Sequence, residues 1–114
     1  MQKKINIDGK EILMEANGAT PRIYRKMFGS DLLTTLHGAV SKEGEVINIE
    51  VFENLAYCMA KQAGSVEDDI DTWLSSFDSS MAIVDAIGEI MALWRGNTKT
   101  TVNPKKKANP QTGQ

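Results

Sequence analysis

Apolar and polar residues alternate along the chain with two different periods, and the change of period marks the architecture. Lys3 to Ile7 and Glu11 to Glu15 are short alternating runs on either side of Asp8-Gly9. A two-residue hairpin turn needs positive φ at both central positions, which Asp-Gly tolerates, so strands are expected over 3–7 and 11–15. Such a hairpin is marginal by itself. Its apolar face, Ile5, Ile7 and either Ile12 or Leu13, must therefore rest on helices.

After Asn17-Gly18 the spacing becomes helical. Thr20 before Pro21 has the form of an N-cap with proline at the first helical position, and Ile23, Tyr24, Met27 and Phe28 make a stripe that Gly29 ends. Ser30 and Asp31 can open a second short helix carrying Leu32, Leu33, Leu36 and Val40, followed by a polar loop over 41–45. Asn48 caps a third, whose Phe52, Leu55, Ala56, Met59 and Ala63 follow the spacing of an amphipathic surface helix up to Gly64. Ser65-Val-Glu-Asp68 resembles a capping box for a fourth helix with Ile70, Trp73, Leu74 and Phe77 on its buried stripe. The last helix, over about 79–95, has 11 apolar residues among the 14 from Met81 to Trp94, so it is central to the core or half-covered by a partner. Beyond Gly96 no apolar period remains. The expected fold is mainly helical (α+β): an N-terminal β-hairpin packed on a compact bundle of four to five helices over 1–95, then a flexible basic tail over 96–114.

Composition narrows the classes. With 114 residues there is room for one core, and 41% hydrophobic with 25% charged residues is ordinary for a globular domain. The net charge of −2 conceals an uneven split: residues 1–94 hold all 15 acids against 8 Lys and Arg, whereas 95–114 hold 5 basic residues and no acid. One cysteine and no signal-like N-terminus point to a reducing, cytoplasmic setting. The Met81 to Trp94 stretch is too short and too charged to span a bilayer.

Searches for chemistry return little. There is no phosphate-cradling glycine loop, nucleophile elbow or His-Glu-x-x-His. The single His37 and single Cys58 form a nucleophile and base only if folding joins them, and Cys58 lies on an apolar helix face beside Leu55 and Met59, where cysteine is ordinarily a small hydrophobe. Structural zinc wants four Cys or His ligands, so no cofactor or metal is expected. Glu67, Asp68, Asp69 and Asp71 are spaced for a hard cation, but the EF-hand position that requires glycine, counted from Asp69, is Leu74. These acids fit a helix N-terminus, or a docking surface for a basic partner. Arg95, Lys99 and Lys105 to Lys107 could meet nucleic-acid phosphates, yet they lack interleaved aromatics and follow an acidic body, so a solvated tail is the better reading. Trp73, Phe77 and Trp94 are core-type residues that can also anchor a partner.

The Ile7-Asp8-Gly9-Lys10 hairpin, the helix with Arg22, Tyr24, Arg25 and Phe28 running into Phe-Gly-Ser-Asp-Leu-Leu33, the Val66-Glu-Asp-Asp-Ile-Asp-Thr-Trp73-Leu segment, the final apolar helix and the lysine-bearing end together resemble a known family. It is that of the tail assembly chaperones of long-tailed bacteriophages and prophages of Gram-positive bacteria, and the likeness covers residues 3–95. The resemblance implies a non-enzymatic helper in the host cytoplasm, absent from the mature virion. It would coat and solubilise the tape measure protein and help recruit tail tube protein; the apolar surface of Met81 to Trp94 with Trp73 and Phe77 is a candidate for the client or for self-association. Client-binding candidates under this reading are Trp73, Phe77, Val84, Ile87, Met91 and Trp94. Two other classes remain open: a structural tail or head-completion protein of the virion, and a nucleic-acid-associated regulator acting through the basic end.

The resemblance also implies that a programmed frameshift near the end of the short form yields a longer product. Lys105, Lys106 and Lys107 are the candidate frameshift-site codons, because a slippery heptamer of the A-AAA-AAG or A-AAA-AAA kind encodes consecutive lysines. Sequencing the gene is expected to show such a run there, overlapping a long second open frame; a gene lacking either has no two-product expression.

Overall fold

The computed structural model describes residues 1–96, so the basic tail, including Lys99, Lys105, Lys106 and Lys107, lies outside the described residues. The order of elements is β1 (Gln2–Ile7), β2 (Lys10–Glu15), α1 (Thr20–Phe28), α2 (Leu32–His37), α3 (Ile49–Gln62), α4 (Ile70–Ser75) and α5 (Ala82–Trp94). The expected fold class is what is found: an antiparallel hairpin packed on five helices around one core.

At the tip of the hairpin Asp8 and Gly9 have φ of 55° and 83°, the positive values that this turn demands. Ile5 faces Ile12 and Lys3 faces Met14, which puts Ile5, Ile7, Ile12 and Met14 on one side of the ribbon. Ile5, Ile7 and Met14 are fully buried and Ile12 packs against the core at its edge, so Ile12 rather than Leu13 completes the inward face. That face rests on α3 under β2 and on α5 under β1. An exposed Lys3–Glu89 pair at 4.0 Å spans the β1–α5 contact, a separation at which such pairs add little.

Two expected caps turn out to be long-range ties. Thr20 is the first residue of α1, not its cap: its buried hydroxyl accepts from the Asn17 amide and donates to Gln62 Oε1, both at 2.9 Å. Asn17 Oδ1 in turn accepts from the Ala19 amide and from Gln62 Nε2, so α1 and the end of α3 are laced together at one point. Ser65 does not cap α4 either. Its hydroxyl donates to the Leu13 carbonyl at 2.6 Å, fixing the segment after α3 to β2. Asp69 caps α4 by accepting from the Thr72 amide, and Asp31 caps α2 by accepting from Thr34, both at 2.8 Å. These amide bonds hold both carboxyls below the usual aspartate range. Glu67 and Asp68 therefore stand in a loop, and only Asp71 lies in the first turn of α4.

The largest departure from expectation concerns α3. Asn48 caps it as expected, through the Glu50 amide. Yet Val51, Tyr57, Cys58 and Ala60 are buried along with Phe52, Leu55, Ala56 and Met59, so α3 is the central helix and not a surface one. It is covered by β2, α1, α5 and α2. Tyr24, Phe28, Tyr57, Trp73 and Phe77 form a continuous aromatic chain across α1, α3, α4 and the segment just after it, with neighbouring ring centroids 4.9–6.5 Å apart. The Tyr57 hydroxyl donates to the Asp68 carbonyl at 2.6 Å, pinning the loop before α4.

The hairpin tip also grips the segment between α4 and α5. Asp8 Oδ2 accepts from the Asp78 amide at 2.8 Å, and Lys10 Nζ donates to the Ser76 carbonyl at 2.8 Å while lying 5.4 Å from the centre of the Phe77 ring. This clamp fixes where α5 begins.

Helix α3 ends in a Schellman arrangement: Ser65 N–H donates to the Ala60 carbonyl, Gly64 N–H donates to Lys61, and Gly64 has φ 80°. A Cβ at Gly64 would meet nothing, so the cost of substitution is conformational alone. Gly64→Ala is expected to destabilise the domain by about 1 kcal/mol. Thermal unfolding should show a Tm lower by roughly 5 °C.

Candidate functional site

A groove of about 450 Å³ runs along the C-terminal half of α5. The two faces of this helix explain it. Ala86, Ile90 and Leu93 point into the core, whereas Ile87, Met91 and Trp94, at i, i+4 and i+7, stand on an adjoining face and are only half-buried. These three line one wall of the groove, with Gly88 and Arg95. Val84, one turn earlier, is 39% exposed and continues the same apolar stripe toward the start of the helix.

The opposite wall comes from α2 and the loop after it. Leu32 and Leu36 are one turn apart and turn inward; Leu33, about 100° around the helix from Leu32, is left outside at 63% exposure. An isolated antiparallel bridge pairs Val40 with Val46. Within it, Ser41 Oγ accepts from the amides of Glu43 and Glu45, and Gly44 takes φ 84°, which holds the loop in a fixed shape with Val46 presented to the groove. Phe52 of α3 is also part of the lining.

The lining contains no carboxylate, although the chain up to residue 94 carries all 15 acids. Its polar groups include His37 at the end of α2 and Arg95 at the end of α5. Among the described residues Arg95 is in neither of the two salt bridges, which are Met1–Glu15 and Lys3–Glu89. Gly88 is a further peculiarity. Glycine within a helix costs about 0.5–1 kcal/mol relative to alanine, and here a Cβ would meet no neighbour, so nothing inside the domain demands its smallness.

Of the six residues singled out in the sequence as client-binding candidates, Ile87, Met91 and Trp94 meet in this groove, and Val84 is exposed beside it. Trp73 and Phe77 do not join them. Each is only 7% exposed and both belong to the aromatic chain, so they act chiefly as core, with Trp73 and Phe77 each edging a separate depression. The rest of the lining was not singled out in the sequence, and Leu33 and Val46 are its exposed apolar members. Adjacent leucines at 32 and 33 in a short helix cannot both face the core, and that was the available signal.

No cluster of three or more potential metal-ligating side chains occurs among the described residues. Of the acids from Glu67 to Asp71, Asp69 is engaged as the cap of α4, and the Tyr57 hydroxyl holds the Asp68 backbone carbonyl. Cys58 is fully buried, its Sγ lying 3.9 Å from the Thr20 carbonyl, and His37 is exposed, so the two do not form a catalytic pair. Burial pushes the Cys58 thiol up to about 11. Glu53, half-buried beside a shallower depression over 74–83, is also pushed up by desolvation and by the nearby Glu50. The groove offers mainly apolar area, and among the described residues Cys58 and His37 are held apart.

No protein-family model matches the chain, and comparison with curated proteins and with solved structures finds no match either. No helix among the described residues is long and apolar enough to cross a membrane.

A thiol reagent such as DTNB tests the placement of Cys58. At pH 8 the native chain is expected to react at least about a hundredfold more slowly than the urea-unfolded chain, because the thiolate is suppressed and the sulfur enclosed. Equal rates would mean that the α1–α3 contact is open in solution.

Proposed function

We propose that this chain is the short form of a tail assembly chaperone of a long-tailed phage or prophage. In this reading it acts in the host bacterial cytoplasm, binds and solubilises the tape measure protein, helps recruit tail tube protein, and does not remain in the mature virion. The observation that carries the reading is the uncovered apolar stripe Val84, Ile87, Met91 and Trp94 beside Leu33, on a body whose first 94 residues sum to −7 (8 basic against 15 acidic residues). A helper of a long apolar client needs surface that the client can cover and later release, together with a charged remainder that resists aggregation.

The test is co-expression with a tape measure protein from the same genome. Leu33→Glu and Val84→Glu both place charge on exposed positions and are expected to leave circular dichroism and Tm unchanged while reducing soluble client several-fold. Trp94→Glu is expected to do the same with some loss of stability, since Trp94 is half-buried. Soluble client in undiminished amount with all three variants would refute the role, and recovery of the chain from purified virions would make it a structural tail or head-completion protein instead.

A further inference from the structure

We infer that α5 pairs antiparallel with α5 of a second copy of this chain, forming a weak symmetric dimer through its solvent-facing stripe. This goes beyond the chaperone reading and does not depend on it. The observations are a spacing, one missing side chain and two charges, all within residues 81–95.

Met81, Val84, Gly88, Met91 and Arg95 follow one another at intervals of three, four, three and four residues. That is the heptad spacing of a seam between two helices. At about 100° per residue these positions lie on the side of α5 opposite the buried Ala86, Ile90 and Leu93. All are exposed except Met91, which is half-buried. An antiparallel pairing that sets Gly88 opposite Met91 of the second copy is complementary along its whole length, and by two-fold symmetry each contact occurs twice. A Cβ at Gly88 would meet nothing within 4 Å, so the space there receives the flexible Met91 side chain as a hole receives a knob. That contact supplies the reason for a helix-weakening residue that the fold itself does not. In the same register Arg95 falls opposite Val84 and one residue from Asp85 of the second copy. Arg95 and Asp85 are both exposed and in neither salt bridge of the described residues, so each finds an opposite charge across the pair. On the groove flank the pairing brings Ile87 against Trp94 of the second copy, joining two half-buried apolar side chains.

Charge selects both the face and the direction. Residues 1–94 hold 15 acids against 8 Lys and Arg, so two copies repel wherever those acids lie. The groove lining and the seam positions hold no carboxylate, which makes this a side on which two such bodies can approach. A parallel pairing would set Arg95 beside Arg95 and Gly88 beside Gly88, opposing like charges and leaving the gap unfilled. Three turns of helix make a contact at the small end of specific interfaces, so a Kd on the order of 10–100 µM is expected.

Sedimentation equilibrium of the full chain without any client, from about 5 to about 500 µM, tests this. The apparent mass should rise from 12.5 kDa toward twice that value across the range. Gly88→Gln should hold the chain monomeric throughout while raising Tm, since glutamine is the better helix former and misfolding would lower Tm. Asp85→Arg and Arg95→Asp should each weaken association about tenfold, because two attractive pairs become repulsive. Mixed in equal amounts, these two variants should associate about as well as the unaltered chain, each then offering the charge the other needs. A structural defect in either would not be repaired by mixing. Monomer mass at every concentration overturns the inference and leaves the face to the terminal segment or to a client. A dimer that Gly88→Gln leaves intact, or that mixing does not restore, overturns it as well. Failure here leaves the chaperone reading standing, and failure of the co-expression test leaves the dimer standing.

Discussion

Everything in this small domain is arranged around the need to cover α3 on nearly all sides. Eight of its residues are buried, including Val51, Tyr57, Cys58 and Ala60 that lie off its main stripe. A two-stranded sheet has one useful face, and α1, α2 and α4 are between six and nine residues long. Covering α3 therefore consumes nearly all the apolar surface that its neighbours offer. The hairpin spends Met14 and Ile12 on it, α1 spends Tyr24, and α2 spends Leu32 and Leu36.

The shortage falls on α5. Its inward residues Ala86, Ile90 and Leu93 join the core and the helix packs on α3 and β1, but among the described residues no element is left to cover the face with Ile87, Met91 and Trp94. The groove follows from this arithmetic: α2 is too short to lie across α5, and the Val40–Val46 loop stops beside it. The two tryptophans then fall into different classes. Trp73 is enclosed between Tyr57 and Phe77, where its ring completes the aromatic chain, whereas Trp94 stands at the open end of the last helix.

Local signals were legible in the sequence wherever a short stretch determines its own structure. The Asp8-Gly9 turn, the Asn48 and Asp31 caps and the Gly29 and Gly64 stops all depend on residues within a few positions, and all occur in the fold. Thr20 and Ser65 have the same local appearance as caps, but their hydroxyls find partners 42 and 52 residues away, Gln62 and the Leu13 carbonyl, which no local pattern encodes. The centrality of α3 was likewise hidden, since alanine, cysteine and tyrosine off the main stripe look like an indifferent flank until the neighbours are placed. Half of the candidate site was visible as the excess of apolar residues on α5. The other half, Leu33 and Val46, depends on where α2 and its loop are set down.

The clamp at the hairpin tip has a bearing on the order in which the molecule comes together. Asp8 and Lys10 reach partners 66 to 71 positions later, so the tip is satisfied only when the segment leading into α5 has arrived. During synthesis at about 5–20 residues per second, the strands are complete roughly 4–16 s before Trp94 is joined to the chain. Through that interval Ile5 and Ile7 have no α5 beneath them. The closing of the core over β1 and the appearance of the groove are thus a single late event, so the groove exists only once the hairpin and the last helix have met.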